Sequence, residues 1–140
     1  MRVWHPGDAA ALAAAWAEPE IRSWLAPPDA DIETARTWIA GEPERRAQGF
    51  ALDLVIDADG VVAGEVGLSH FDPARRACLI GYWAAPPFRG RGLVRRATAV
   101  VADWALETLG AHAVVAECAP QNVASQRVVE AAGFELLSAD

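Results

Sequence analysis

The chain has 140 residues, 53% hydrophobic and 22% charged. That suits one ordinary soluble domain over residues 1–140 and excludes a two-domain enzyme or a disordered tail. Its net charge of −7 argues against a surface that wraps nucleic-acid phosphates, so no nucleic-acid partner is expected. The acidity is uneven. Residues 1–70 hold twelve acids against five arginines, whereas the acid-free stretch from Pro73 to Ala102 holds Arg75, Arg76, Arg89, Arg91, Arg95 and Arg96. A basic segment inside an acidic chain points to a small anionic ligand.

Val3-Trp4 reads as a first short strand, and Asp8 as the cap of a helix reaching Ala17. That helix is too short and alanine-rich for a signal peptide or a membrane span, so no membrane partner is expected. Ile21, Trp24 and Leu25 continue with helical spacing up to Pro27-Pro28. A second long helix is expected from Asp31 to about Ala47. From Phe50 the apolar period changes to two. One strand runs to Asp57, Ala58-Asp59-Gly60 turns the chain, a second strand runs from Val61 to Leu68, and a third spans about Ala77 to Ala84. These three make an antiparallel meander.

After Pro86-Pro87, Arg89-Gly90-Arg91-Gly92 leads into an apolar-periodic helix that carries Leu93, Ala97, Val101 and Ala105, with Gly110 as its stop signal. Ala113 to Ala116 reads as a buried strand, Asn122 caps a short helix ending at Gly133, and Phe134 to Leu137 would be a last strand. Strand, glycine loop, helix and strand form a crossover unit, which makes the third and fourth long strands parallel neighbours. The fold class is therefore α/β, with a mixed sheet and about four helices. Cys78 and Cys118 are too few for a disulfide framework and lack the spacing of a zinc site, so a reduced, cytoplasmic setting without a metal is expected.

Two segments carry chemistry. In Phe88-Arg-Gly-Arg-Gly-Leu-Val-Arg-Arg, glycines just before a helix let backbone approach a phosphate, and the unpaired first-turn amides and the helix dipole favour an anion. Arg89, Arg91, Arg95 and Arg96 add charged donors. No Gly-Lys-Ser/Thr follows, so the loop is not a P-loop. The second segment is Asn122-Val-Ala-Ser125-Gln-Arg127-Val-Val-Glu130-Ala-Ala-Gly133-Phe134.

In this order and spacing, the two segments resemble the GNAT family of acetyl-CoA-dependent N-acetyltransferases. The Ile80-Gly81-Tyr82-Trp83 strand and the helical front look like its RimJ/RimL branch. The resemblance implies a GNAT fold with the antiparallel meander splayed from the parallel strand. It implies coenzyme A binding by Gly90, Arg91, Gly92, Leu93, Val94 and Arg95, with Arg89 opening the pyrophosphate arm. The pantetheine would lie along Tyr82, Trp83 and Ala84 and reach Asn122 and Ser125. Val94 departs from the family's Gly or Ala and would crowd the pyrophosphate. The family's further C-terminal strand is short or missing here, so either the sheet stops early or a partner subunit, in a homodimer, covers its edge.

The implied reaction is attack of a neutral amine on the acetyl thioester. Neutralising a lysine-like amine at pH 7 costs about 4.6 kcal/mol and an α-amine only about 1 to 1.4. Glu65, inside the second strand, is the leading base candidate if it faces the cleft; His70 and Asp72 read as turn residues. Ser125, with Tyr82 second, would protonate the departing sulfur. Cys78 and Cys118 read as packing thiols. Of the six tryptophans, Trp24 and Trp38 are the ones placed to line an acceptor pocket. The acceptor is a primary amine, foremost a protein or peptide N-terminus. Alternatives are a small amine (amino acid, polyamine or antibiotic) and a non-catalytic module that holds an acyl-CoA.

Overall fold

The computed structural model describes residues 1–137; the last three residues of the expected domain lie outside them. The strands are β1 (Arg2–Val3), β2 (Ala51–Ala58), β3 (Val61–Asp72), β4 (Ala77–Ala84) and β5 (Ala113–Val115). They lie in sequence order in one sheet, antiparallel throughout except for the parallel pair β4/β5. The mixed α/β sheet with a parallel fourth and fifth strand agrees with the sequence reading.

The helices are more divided than expected: α1 (Ala9–Ala17), α2 (Pro19–Leu25), α3 (Ile32–Ala40), α4 (Glu42–Ala47), α5 (Leu93–Glu107) and α6 (Val123–Ala131). The long helix expected up to Ala47 breaks at Gly41, whose N–H folds back onto Thr37 and Trp38 carbonyls before Pro43 opens α4. Proline lacks the amide that would continue α3 but fits the first turn of a new helix. Asp8 does not cap α1. Its carboxylate pairs with Arg2 at 2.7 Å and accepts the His5 amide at 2.9 Å, and a 3-10 turn leads into the helix instead. Residues 134–137 form no strand: Leu136 and Leu137 are exposed, and β5 is the last strand of the sheet among the described residues.

The period-two pattern sorts the sheet into two faces. Val55, Glu65 and Trp83 stand side by side across β2, β3 and β4, on the face covered by α1 and α3 with Leu12, Trp16 and Ile39. Ile56, Val66, Leu68 and Ile80 belong to the other core, into which α5 sends Ala97, Val101 and Ala105 at successive helical turns. Side chains such as Leu12, Leu68 and Val66 are fully buried, each stabilising the fold by roughly 1.5–3 kcal/mol relative to exposure. No described helix is long and apolar enough to cross a membrane.

Candidate active site

β4 and β5 pair only from Ala77 to Leu79 against Ala113 to Val115. Beyond Leu79, β4 runs on to Ala84 while the other strand has already ended, so the sheet opens between them. Unpaired strand edges are a ready surface for an extended ligand. A cavity of about 540 Å³ fills this opening, walled by residues 80–84 on one side and 116–119 on the other. The loop before α5 lies at one end. Trp24 and Leu25 of α2 also line it, and α6 contributes Ser125, Arg127 and Val128.

Gly90 and Gly92 both have positive φ, 76° and 73°, a left-handed backbone that favours glycine. Gly92 caps α5 with backbone alone, so the first amides of a fifteen-residue helix stay unpaired at the cavity. A Cβ at Gly90 would meet no atom within 4 Å, so this backbone is open to an incoming group. The opening between the strands and this bare helix start fit a long ligand with a phosphate end, as the sequence implied for coenzyme A. Leu93, Val94 and Arg95 line the cavity, whereas Arg91 stacks over Phe88 at 5.3 Å and is not in the lining. Arg89 also lines the cavity, with its donors engaged: its terminal nitrogens hold Glu18 at 3.0 Å and Glu20 at 2.9 Å, and its Nε donates to the Ala84 carbonyl at 3.2 Å.

At the far end β4 meets α6. Tyr82 Oη donates to the Ser125 carbonyl at 2.9 Å and lies 2.6 Å from Ser125 Oγ. Ser125 is placed by Asn122, whose side-chain oxygen accepts the Ser125 amide at 3.1 Å and caps α6. Burial pushes the Tyr82 phenol up to about 12, against the pull of its Ser125 hydrogen bond, so Tyr82 keeps its proton at neutral pH. Cys118 Sγ stands 3.3 Å from Ser125 Oγ, while Cys78 is buried on β4 with its thiol pushed up by that burial. The fold thus brings Tyr82, Ser125, Asn122, Trp83 and Ala84 together around one cavity.

Glu65 is not in that lining. It sits beside Trp83 on the sheet face under the helical front, where Trp4 Nε1 donates to its Oε2 at 2.9 Å. Burial, reinforced by the charge of Asp53, pushes its carboxyl up to about 8. Asp72, the last residue of β3, serves the turn that follows by accepting the amides of Ala74 and Arg75, whereas His70 lies within β3, at the irregularity between Ser69 and Asp72, with φ +52°. Trp38 packs edge-on between Trp4 and Trp16 beneath Arg45, away from the cavity, so of the two tryptophans singled out only Trp24 lines it. Sequence reasoning passed over Arg127, Glu117 and Glu20 as lining groups. Helical spacing from Ala124 to Arg127 and Val128 was the available signal for the first, the acid-rich first half was the signal for Glu20, and nothing local marked Glu117.

The chain matches the family described as Acetyltransferase (GNAT) domain over residues 1–135. It is 30% identical over 139 residues to YdaF of Bacillus subtilis (strain 168), a candidate ribosomal N-acetyltransferase, covering 96% of this chain and 76% of that protein. An aminoglycoside N(6')-acetyltransferase type 1 of Salmonella typhimurium is 32% identical over 102 residues, covering 68% of this chain and 69% of its own length. Among solved structures, Mycobacterium smegmatis RimJ in complex with CoA-disulfide superposes with a TM-score of 0.82 at 25% identity, covering 92% of this chain and 66% of that one.

Proposed function

We propose that this chain, which belongs to the GNAT family of acetyltransferases and takes its acetyl group from acetyl-CoA, acetylates a primary α-amine, foremost that of a protein or peptide N-terminus. The observation that carries the choice of acceptor is the shortage of a usable base. Two carboxylates line the cavity; Glu20 is paired with Arg89, and Glu117 is exposed to solvent, where a carboxylate is a poor base for an ammonium ion. Glu65, with its carboxyl near 8 and outside the lining, holds its own proton at neutral pH. An acceptor that is already partly neutral then has the advantage: an α-amine needs about 1 to 1.4 kcal/mol, a lysine-type amine about 4.6.

Acetyl-CoA supplies a thioester carbonyl activated for attack by the amine. The amides at the start of α5, with Arg95 and Arg127 lining the same cavity, would hold its phosphates, and the open edge of β4 would take the arm that leads to the sulfur. As the new C–N bond forms and the C–S bond breaks, Tyr82 Oη would deliver a proton to the departing sulfur, and the nitrogen would release its extra proton to water in the open cavity. Water would return a proton to the phenolate, which Ser125 Oγ orients from 2.6 Å away. Asn122 fixes Ser125 by capping α6, so it acts on the sulfur end through position.

Free-thiol release measured on a panel of amines tests this reading. Short peptides with free N-termini are expected to give a kcat/KM at least about 10-fold above the same peptides acetylated at the N-terminus and carrying one lysine, a floor beneath the few-hundred-fold that the roughly 3.4 kcal/mol difference in neutralisation cost allows. Equal or better turnover of the lysine peptides would overturn the assignment. A small amine is the second reading, supported by the likeness to the aminoglycoside enzyme; preference for aminoglycosides over every peptide would select it. In the same assay Tyr82→Phe and Ser125→Ala should each lower kcat about 10- to 100-fold with little change in the KM for acetyl-CoA. Their effects should not add, because the two groups act as one pair. A selective rise in KM with kcat intact would instead make them binding groups.

A further inference from the structure

Arg89 has a geometry at odds with a phosphate ligand. Three of its donors are already used: Nη1 on Glu20 at 2.9 Å, Nη2 on Glu18 at 3.0 Å and Nε on the Ala84 carbonyl at 3.2 Å. With two carboxylates on one guanidinium, the cluster carries a net negative charge, which repels an incoming phosphate. Arg91, Arg95 and Arg127 have no carboxylate partner among the described residues. They remain available for anion binding.

The other end of the cluster explains what Arg89 does hold. α2 is a seven-residue helix that buries a single residue, Ile21, and it is set off by Pro19 at its start and by left-handed Ala26 followed by Pro27-Pro28 at its end. Packing alone therefore fixes it weakly. Glu18 does double duty, since the same Oε2 that meets Arg89 also caps α2 by accepting the Ile21 amide at 2.9 Å. The side chains α2 sends into the cavity, Trp24 and Leu25, are otherwise half exposed. The tie spans 69 to 71 residues of sequence, from the loop before α5 to the helical front.

We infer that Arg89 is a positioning residue: it latches α2 to the loop before α5 through Glu18 and Glu20, and so sets the acceptor wall formed by Trp24 and Leu25. This rests on the proposed function, with Trp24 and Leu25, which line the same cavity as Tyr82 and Ser125, facing the acceptor amine. A latch and a phosphate ligand respond oppositely to the loss of Glu20. Freeing Arg89 would strengthen coenzyme binding if it were a ligand and would loosen α2 if it is a latch.

The test compares Arg89→Met, Glu20→Gln and the double variant. Coenzyme A affinity is read by calorimetry, and amide hydrogen exchange is followed over residues 19–25. Both single variants should leave the coenzyme Kd within about twofold while residues 22–25 exchange at least about tenfold faster, and the double variant should be no worse than Arg89→Met. Arg89→Lys should restore part of the protection. On the best acceptor, the KM for that acceptor should rise about tenfold with kcat nearly unchanged. A tenfold loss of coenzyme affinity in Arg89→Met, or tighter coenzyme binding in Glu20→Gln, would overturn the latch; so would unchanged exchange over residues 22–25. If no amine is turned over, the α-amine reading fails while the exchange and coenzyme measurements still decide the latch.

Discussion

Replacing Gly92 by glutamate should weaken coenzyme A binding by at least about 100-fold, close to 2.7 kcal/mol, while the chain stays folded. Two costs combine. Gly92 has φ +73° at the start of α5, and a side chain there loses on the order of 1 kcal/mol in backbone strain. The larger cost is the carboxylate itself, which would stand beside the unpaired first-turn amides and occupy the anion position the coenzyme's phosphates need. Gly92→Ala separates the two. Its Cβ would lie 3.2 Å from Arg95 Nη2, the movable end of a flexible side chain, so it should show the strain in thermal stability and change coenzyme affinity only a few-fold. Calorimetric titration with coenzyme A checks both variants. If Gly92→Glu binds as tightly as the parent chain, the phosphates do not sit at the α5 start and the proposed site is wrong at its centre.

Glu65→Gln should stabilise the protein at pH 8 and leave it unchanged near pH 4.5. The folded carboxyl is raised to about 8 by burial and by Asp53, whereas the unfolded one titrates near 4.5. Between those values the unfolded chain has released the proton and the folded chain still holds it, so stability falls as pH rises through that window and is flat outside it. The full shift corresponds to roughly 5 kcal/mol, and relaxation of the folded site around the ionised carboxylate trims the expected gain to roughly 3 kcal/mol. Glutamine keeps an oxygen to accept the Trp4 indole N–H, so the packing is preserved. Asp53, which burial also raises, contributes to the pH slope of both proteins, and because its charge acts on Glu65 the comparison reads the two carboxylates together. Denaturant unfolding of both proteins from pH 4.5 to 8 gives the answer. A difference that does not grow with pH, or a destabilised variant at pH 8, would refute the buried, proton-holding Glu65.

Much of the architecture was legible along the chain. The alternation from residue 50 to 84 required a meander, and the Arg-Gly-Arg-Gly loop before an apolar helix marked a glycine-led helix start, where Gly90 and Gly92 have positive φ. Asn122 was readable as a cap because the interaction closes within three residues. The failures were also local in kind. Asp8 looked like a helix cap, but Arg2 of β1 claimed its carboxylate. The stretch 134–137 had strand composition, yet composition does not supply a neighbouring strand to pair with.

The opening charge split shows where sequence reasoning stops. By itself the sequence determined that an acid-free, arginine-rich segment surrounds a phosphate-type loop and that the acids crowd the helical front. It placed the chain in its family, because motif spacing, helix caps and hydrophobic period depend on neighbours a few residues away. Only the tertiary structure decided what each charge does. Arg89 meets Glu18 and Glu20 across 71 and 69 residues, Trp4 meets Glu65 across 61, and Tyr82 meets Ser125 across 43. Such partners are chosen by how helices and sheet pack, and burial then sets the protonation of Glu65 and Tyr82. The first basic residue of the loop, Arg89, is thus held by two acids of the helical front, for the physical reason that packing brings both carboxylates to within 3.0 Å of it.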